Sequence, residues 1–168
     1  MSCDVATAAF LFLASAHTGP AQPMIRIDAP VIAPAQPQSV ASEPLFADIV
    51  ARAGKLKADA DAYRQTLAKE TGAKATGGPV VLPKFDDFQT GVAALSGLDL
   101  QGNQELAKRG TDGDLKCILR GISQDLPKKL ADLTGAKTAP AQDAALRDMS
   151  YLLNDNVEVI TAPPAPAV

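Results

Sequence analysis

Between Ser42 and Gly72 the apolar residues fall at Phe46, Ile49, Ala53, Leu56, Ala60, Tyr63 and Leu67. From Ile49 onward the intervals alternate between four and three, so these side chains share one stripe of an α-helix. A strand would need a period of two. The opposite face carries Asp48/Arg52, Lys55/Asp59 and Lys57/Asp61, each spaced i,i+4 to give modest support to an exposed helical surface. Ser42 is a suitable N-cap, Glu43 and Pro44 fit the first turn, and Gly72 is the stop. Such a helix is about 45 Å long, at 1.5 Å per residue. Its seam packs on the rest of the domain or pairs with a partner helix in a coiled coil, and the first is the simpler expectation.

The same periodicity recurs downstream. Phe85, Phe88, Val92 and Leu95 mark a second amphipathic helix, with Asp86 and Asp87 placed to favour its N-terminal dipole and Gly97 as its expected end. The dipole accounts for this carboxylate pair without chemistry. A short third helix is expected from Asn103 to Arg109, closed by Gly110. The next begins at Thr111, with Asp114 in a capping-box position. Its residues Leu115, Ile118, Leu119, Ile122, Leu126, Leu130 and Leu133 fall within about 120° on a helical wheel. That pattern keeps its phase through Pro127, so a single kinked helix or two collinear ones should run to Gly135. A last helix should start at Thr138 or Ala139, with Pro140 in its first turn. It buries Ala145, Leu146, Met149, Leu152 and Leu153, ends at Asn154-Asp155-Asn156, and leaves Val157 to Ile160 extended. The predicted fold is therefore all-α: a compact bundle of four to five helices, one long N-terminal helix among them, with the Thr111–Gly135 helix at its centre.

Proline sets the borders. Pro20, Pro23, Pro30, Pro34, Pro37 and Pro44, mixed with Ala, Gln and Ser, disfavour helix and ladder pairing and read as an extended tether. Ala162-Pro163-Pro164-Ala165-Pro166-Ala167 mirrors it. The organisation expected is a signal peptide at 1–16, a Pro-rich linker at 17–41, a helical domain at 42–161 and a Pro/Ala tail at 162–168. The signal reading rests on the apolar run Val5 to Ala16, which closes in Ala14-Ser15-Ala16. At about 18 Å as a helix it is too short to cross a bilayer core of about 30 Å. No Lys or Arg precedes it, and Asp4 has the wrong sign for the customary basic flank. The chain is expected to be exported, periplasmic or extracellular, without a transmembrane span.

Several chemistries are disfavoured. The charge balance is slightly acidic, −3 overall, and its signs are interspersed, with no basic stripe for nucleic acid. Gly77-Gly78-Pro79 lacks the Gly-Lys-Ser/Thr that a phosphate loop requires. The single histidine, His17, sits at the expected cleavage point, which leaves the domain no imidazole for a metal site or a catalytic base. No metal or cofactor is expected. Cleavage would also remove Cys3 and leave Cys117 alone.

Cys117 is the one weak catalytic candidate. It falls about 190° from the centre of the leucine face, on a stripe shared with Gly113 and Gly121. That stripe reads either as a face closely approached by another backbone or as an exposed thiol near Lys116, Arg120 and Lys128. The favoured function is that of an exported, non-catalytic bundle with a protein partner in the envelope, in a binding, adaptor or structural role. The alternatives are a haem-type carrier with Met149 as axial ligand, or a thiol-based redox protein using Cys117.

Overall fold

The computed structural model describes residues 40–73, 78–110 and 113–162. A single 3-10 turn, Val40–Ser42, leads into four helices: α1 (Pro44–Ala73), α2 (Phe85–Arg109), α3 (Gly113–Gly135) and α4 (Ala139–Thr161). They form an all-α bundle with no strand among the described residues. α1 packs against α2 and α4, and α3 packs against the same two, so α1/α3 and α2/α4 are the diagonals of a square. Each helix runs antiparallel to the next. Along α1, Tyr63 meets Phe88, Leu56 faces Gly91 and Ile49 faces Gly102, an order that reverses along α2.

The α1 seam is buried in this bundle: Phe46, Ile49, Ala53, Leu56, Ala60, Tyr63 and Leu67 all lie in the core. The helix thus packs on its own domain, and its outer face carries the three expected i,i+4 ion pairs at 2.7–2.9 Å. Glu43, rather than Ser42, holds the cap position. Its carboxylate meets the Arg109 guanidinium through two 2.7 Å hydrogen bonds, clamping the start of α1 to the end of α2.

Four further expectations are corrected. Gly97 does not end a helix; α2 continues to Arg109, and the second and third expected helices are one. The buried positions Leu95, Asp99, Gly102 and Leu106 carry the stripe past Gly97, and packing along it outweighs the roughly 1 kcal/mol that a mid-helix glycine costs. Asn103 is accordingly no cap, and its Nδ2 donates to the Lys116 carbonyl of α3. Likewise, α4 does not stop at Asn154-Asp155-Asn156, nor is Val157 to Ile160 extended. Asn156 points into the core and Asn154 bonds Glu158 one turn on, so these side chains are used within the helix rather than to terminate it.

α3 is not the centre of the bundle but one of its four corners. Finally, an alanine Cβ at Gly121 would have nothing within 4 Å, so no backbone approaches the Gly121 end of the small-residue stripe.

The terminators that hold are local ones. Gly110 adopts φ 69° and returns its N–H to the Ala107 carbonyl, a left-handed close that glycine adopts without a Cβ clash. Thr138 caps α4 by accepting from the Ala141 N–H, and Pro140 lies in the first turn. α3 runs unbroken through Pro127, whose ring faces solvent.

Candidate functional site

The α1–α4 seam holds the main concentration of polar side chains. Asp61 on α1 accepts from Lys57 Nζ at 2.8 Å and from Ser150 Oγ of α4 at 2.7 Å. One turn further along α1, Arg64 Nε donates to Asp143 of α4 at 2.9 Å. The Lys57 hydrogen bond, with Ser150 assisting, holds the Asp61 carboxyl below its ordinary value against the opposing effect of burial. The Asp143 hydrogen bond raises Arg64 in turn.

Beside these ties lies an open groove of about 760 Å³, floored by Leu67, Ala68, Ala139 and Pro140 and edged by Arg64 and Asp143. Tyr151, 66% exposed, stands on α4 close enough for its phenol to act on Arg64. The groove therefore offers an apolar floor and paired charges.

The connection between α1 and α2 is fastened separately, against α1 and α4. The Gln142 side-chain amide accepts from the Val80 N–H at 2.7 Å and donates to the Val80 carbonyl at 3.0 Å, taking both main-chain groups as a paired strand would. The Ala139 N–H donates to the Gly78 carbonyl and Tyr63 Oη donates to the Pro83 carbonyl. Burial raises the Tyr63 hydroxyl above its ordinary value, which keeps it the neutral donor this bond needs. The segment 78–83 is thus fastened at three points, while Val81 projects almost fully into solvent.

A second polar site lies at the heart of the bundle. Asp99 of α2 and Asn156 of α4, on diagonally opposite helices, are both wholly buried. Asn156 Nδ2 donates to the two Asp99 oxygens at 2.9 and 3.1 Å, and Asn156 Oδ1 has no partner. Burial pushes the Asp99 carboxyl up to about 7, only partly offset by the Asn156 hydrogen bond.

The residues singled out from the sequence are scattered. Cys117 is half-buried on α3, and in the uncleaved chain its sulfur is disulfide-bonded rather than a free thiol. No other cysteine falls among the described residues. A disulfide-bonded sulfur is not the thiolate that nucleophilic chemistry requires. Asp86 and Asp87 are exposed in the first turn of α2, and Met149 is wholly buried in the apolar core. The signal segment, residues 17–39 of the expected linker (His17 among them), Gly77, Thr111 and most of the Pro/Ala tail lie outside the described residues, while Val40 and Ala41 join the folded domain. Among the described residues no three His, Cys, Asp or Glu side chains gather as a metal site would require. No helix there is long and apolar enough to cross a membrane.

Asp99, Asn156, Arg64, Asp143 and Ser150 were not marked by sequence reasoning. For Asp99 a signal existed: the interval of four from Leu95, followed by three to Gly102, puts it on the buried face once Gly97 is read through.

These features define a class, the antiparallel four-helix bundle with polar ties between its helices and a shallow groove along α1 and α4. Comparison of the chain with protein families, curated proteins and solved structures finds no match.

Proposed function

We propose that this chain is an exported helical bundle that serves as a binding, adaptor or structural protein of the cell envelope, with no chemistry of its own. The observation that carries the reading is how the polar groups between its elements are used. Ser150 and Asp61, Arg64 and Asp143, Asn156 and Asp99, and Gln142 and Val80 each join two elements of the fold. A nucleophile or general base needs an uncommitted lone pair directed at a space where substrate can sit. Hydrogen bonds of this kind hold a shape instead.

The surface that best suits a partner is the α1–α4 groove. Its apolar floor with a polar rim resembles the composition of a protein contact, and the exposed Tyr151 on the same helix α4 is a residue type that anchors such contacts. Its charges are paired and of both signs, which suits a protein segment better than a polyanion. Export is supported by the apolar run from Val5 to Ala16.

Fractionation of the native host with intact-mass analysis, followed by crosslinking of the unmodified chain in its own compartment, tests the proposal. Recovery from the envelope or medium with a discrete crosslinked protein partner is the expected result. Recovery from the cytoplasm, or purely monomeric chain after crosslinking, contradicts it. Cleavage after Ala16 would remove Cys3, the chain's other cysteine, so the mass also reports which cysteines the native protein retains.

A further inference from the structure

We propose that Asp99 and Asn156 form a proton-dependent latch across the bundle, closed when the Asp99 carboxyl carries a proton and weakened when it ionises. The geometry is the first ground. Two helices whose backbones do not pack directly, α2 and α4, are joined by this pair in the core, where neither residue reaches water. With Asp99 ionised, Asn156 can offer only its amide N–H groups, and its Oδ1 remains an acceptor with no donor. A buried acceptor left so is costly, as is an uncompensated buried carboxylate.

A proton on Asp99 resolves both defects. The carboxyl torsion is soft, so the acid can turn to donate its O–H to Asn156 Oδ1 while its other oxygen accepts from Nδ2. Two reciprocal hydrogen bonds between neutral groups then replace one donor divided between two charged oxygens.

The surroundings favour the neutral acid. One turn along α2, the face at Gly102 is met by Leu119 of α3 and by Ile49 and Phe46 of α1. The charged residues flanking Ile49 and Leu119 in sequence are Asp48 and Arg52 on α1 and Lys116 and Arg120 on α3. Asp155 and Glu158 flank Asn156 on α4, and Glu105 and Lys108 lie further along α2 itself. The Asp99 carboxyl responds to burial and, among the described residues, to the Asn156 hydrogen bond rather than to these charges. Asp48 is paired with Arg52 and Glu105 with Lys108, and Glu158 accepts from Asn154.

The direction of the pH effect follows. The folded chain holds the Asp99 proton up to about 7, whereas the unfolded chain releases it near the ordinary value of 3.8. The folded state therefore binds more protons between those limits, and stability falls as pH rises through them, then levels off. Asp61, Glu43 and Glu105, all held below their ordinary values, act oppositely and only at lower pH.

Urea unfolding of the full chain at about pH 5 and about pH 8, beside Asp99→Asn, tests the latch. An asparagine there can pair with Asn156 by two amide hydrogen bonds at any pH. The wild-type folding constant should fall roughly a hundredfold between the two conditions, and that of D99N by less than about threefold. Both chains carry His17, so its titration cancels in the comparison. A wild type equally stable at both pH values, or a D99N slope parallel to it, overturns the proposal. Should D99N not fold, the carbon-13 signal of the Asp99 carboxyl in the wild type decides. A midpoint between about pH 6 and 8 supports the latch, and one near the usual carboxyl value of about 4 overturns it.

Discussion

The hydroxyl of Ser96 on α2 donates to the main-chain oxygen of Ser123 on α3 at 2.7 Å, and that oxygen is the one Pro127 cannot serve. In an α-helix the carbonyl of residue 123 takes the N–H of residue 127, which proline lacks. A side chain from the neighbouring helix supplies the missing donor. α3 therefore passes through a proline without leaving a carbonyl orphaned, and the repair is also a contact between α2 and α3.

Ser96→Ala should cost about 1–2 kcal/mol, the penalty of an unpaired, partly buried carbonyl. Pro127→Ala restores the intrahelical donor and should stabilise the chain. In the double variant the cost of losing Ser96 should shrink, so the two changes are non-additive. Urea unfolding of the four chains measures the coupling, and strict additivity would contradict the assignment.

The unbroken α2 makes opposite demands on two of its glycines. A Cβ at Gly97 would meet nothing within 4 Å, so Gly97→Ala should stabilise by about 1 kcal/mol through helix propensity alone. At Gly102 the same Cβ would come within 3.1 Å of Leu119 and 3.3 Å of Ile49 and Phe46. Gly102→Ala should therefore lower stability, by about 1 kcal/mol net of the propensity gain. Thermal melts of both variants check the pair of signs.

Lys84, at the start of α2, adopts φ 54° and ψ 35°, a left-handed conformation that costs a lysine about 1 kcal/mol or more. Its side chain is exposed and makes no capping hydrogen bond. Lys84→Asn should raise stability by about 0.5–1 kcal/mol, because asparagine tolerates this region and can cap. Chemical denaturation gives the value directly.

Leu119 is wholly buried on α3 and faces α2 at Gly102. Leu119→Asp places an unpaired carboxylate there and should cost several kcal/mol, on the order of the whole stability of a small domain. Circular dichroism should report an unfolded chain at neutral pH. A cooperative melt at the wild-type temperature would refute the core assignment.

Much of this fold was legible because its information is periodic. The α1 seam, the α3 leucine face and the first turns at Pro44 and Pro140 are set by spacing and proline geometry, which neighbouring elements do not alter. Gly97 and Asn154-Asp155-Asn156 misled because propensity is a local term of about 1 kcal/mol that packing along a continuous stripe outweighs. Asn156 reads as a helix breaker until Asp99 is placed opposite it, and no local rule brings residues from diagonal helices together. The groove was hidden for the same reason. Asp61 was visible only as the i,i+4 partner of Lys57, while Ser150, Arg64 and Asp143 acquire meaning when α1 lies against α4. At Cys117 the bonding state of the sulfur is not written in periodicity.

The central claim, that the chain acts through the surface between α1 and α4, is tested most directly by photo-crosslinking in the native host. A photoreactive amino acid at Gln65, exposed at the groove, is compared with one at Ala131, exposed on α3. The account predicts a discrete adduct with one protein from position 65 and none from position 131. Adducts from both positions alike, or from position 131 alone, would contradict it.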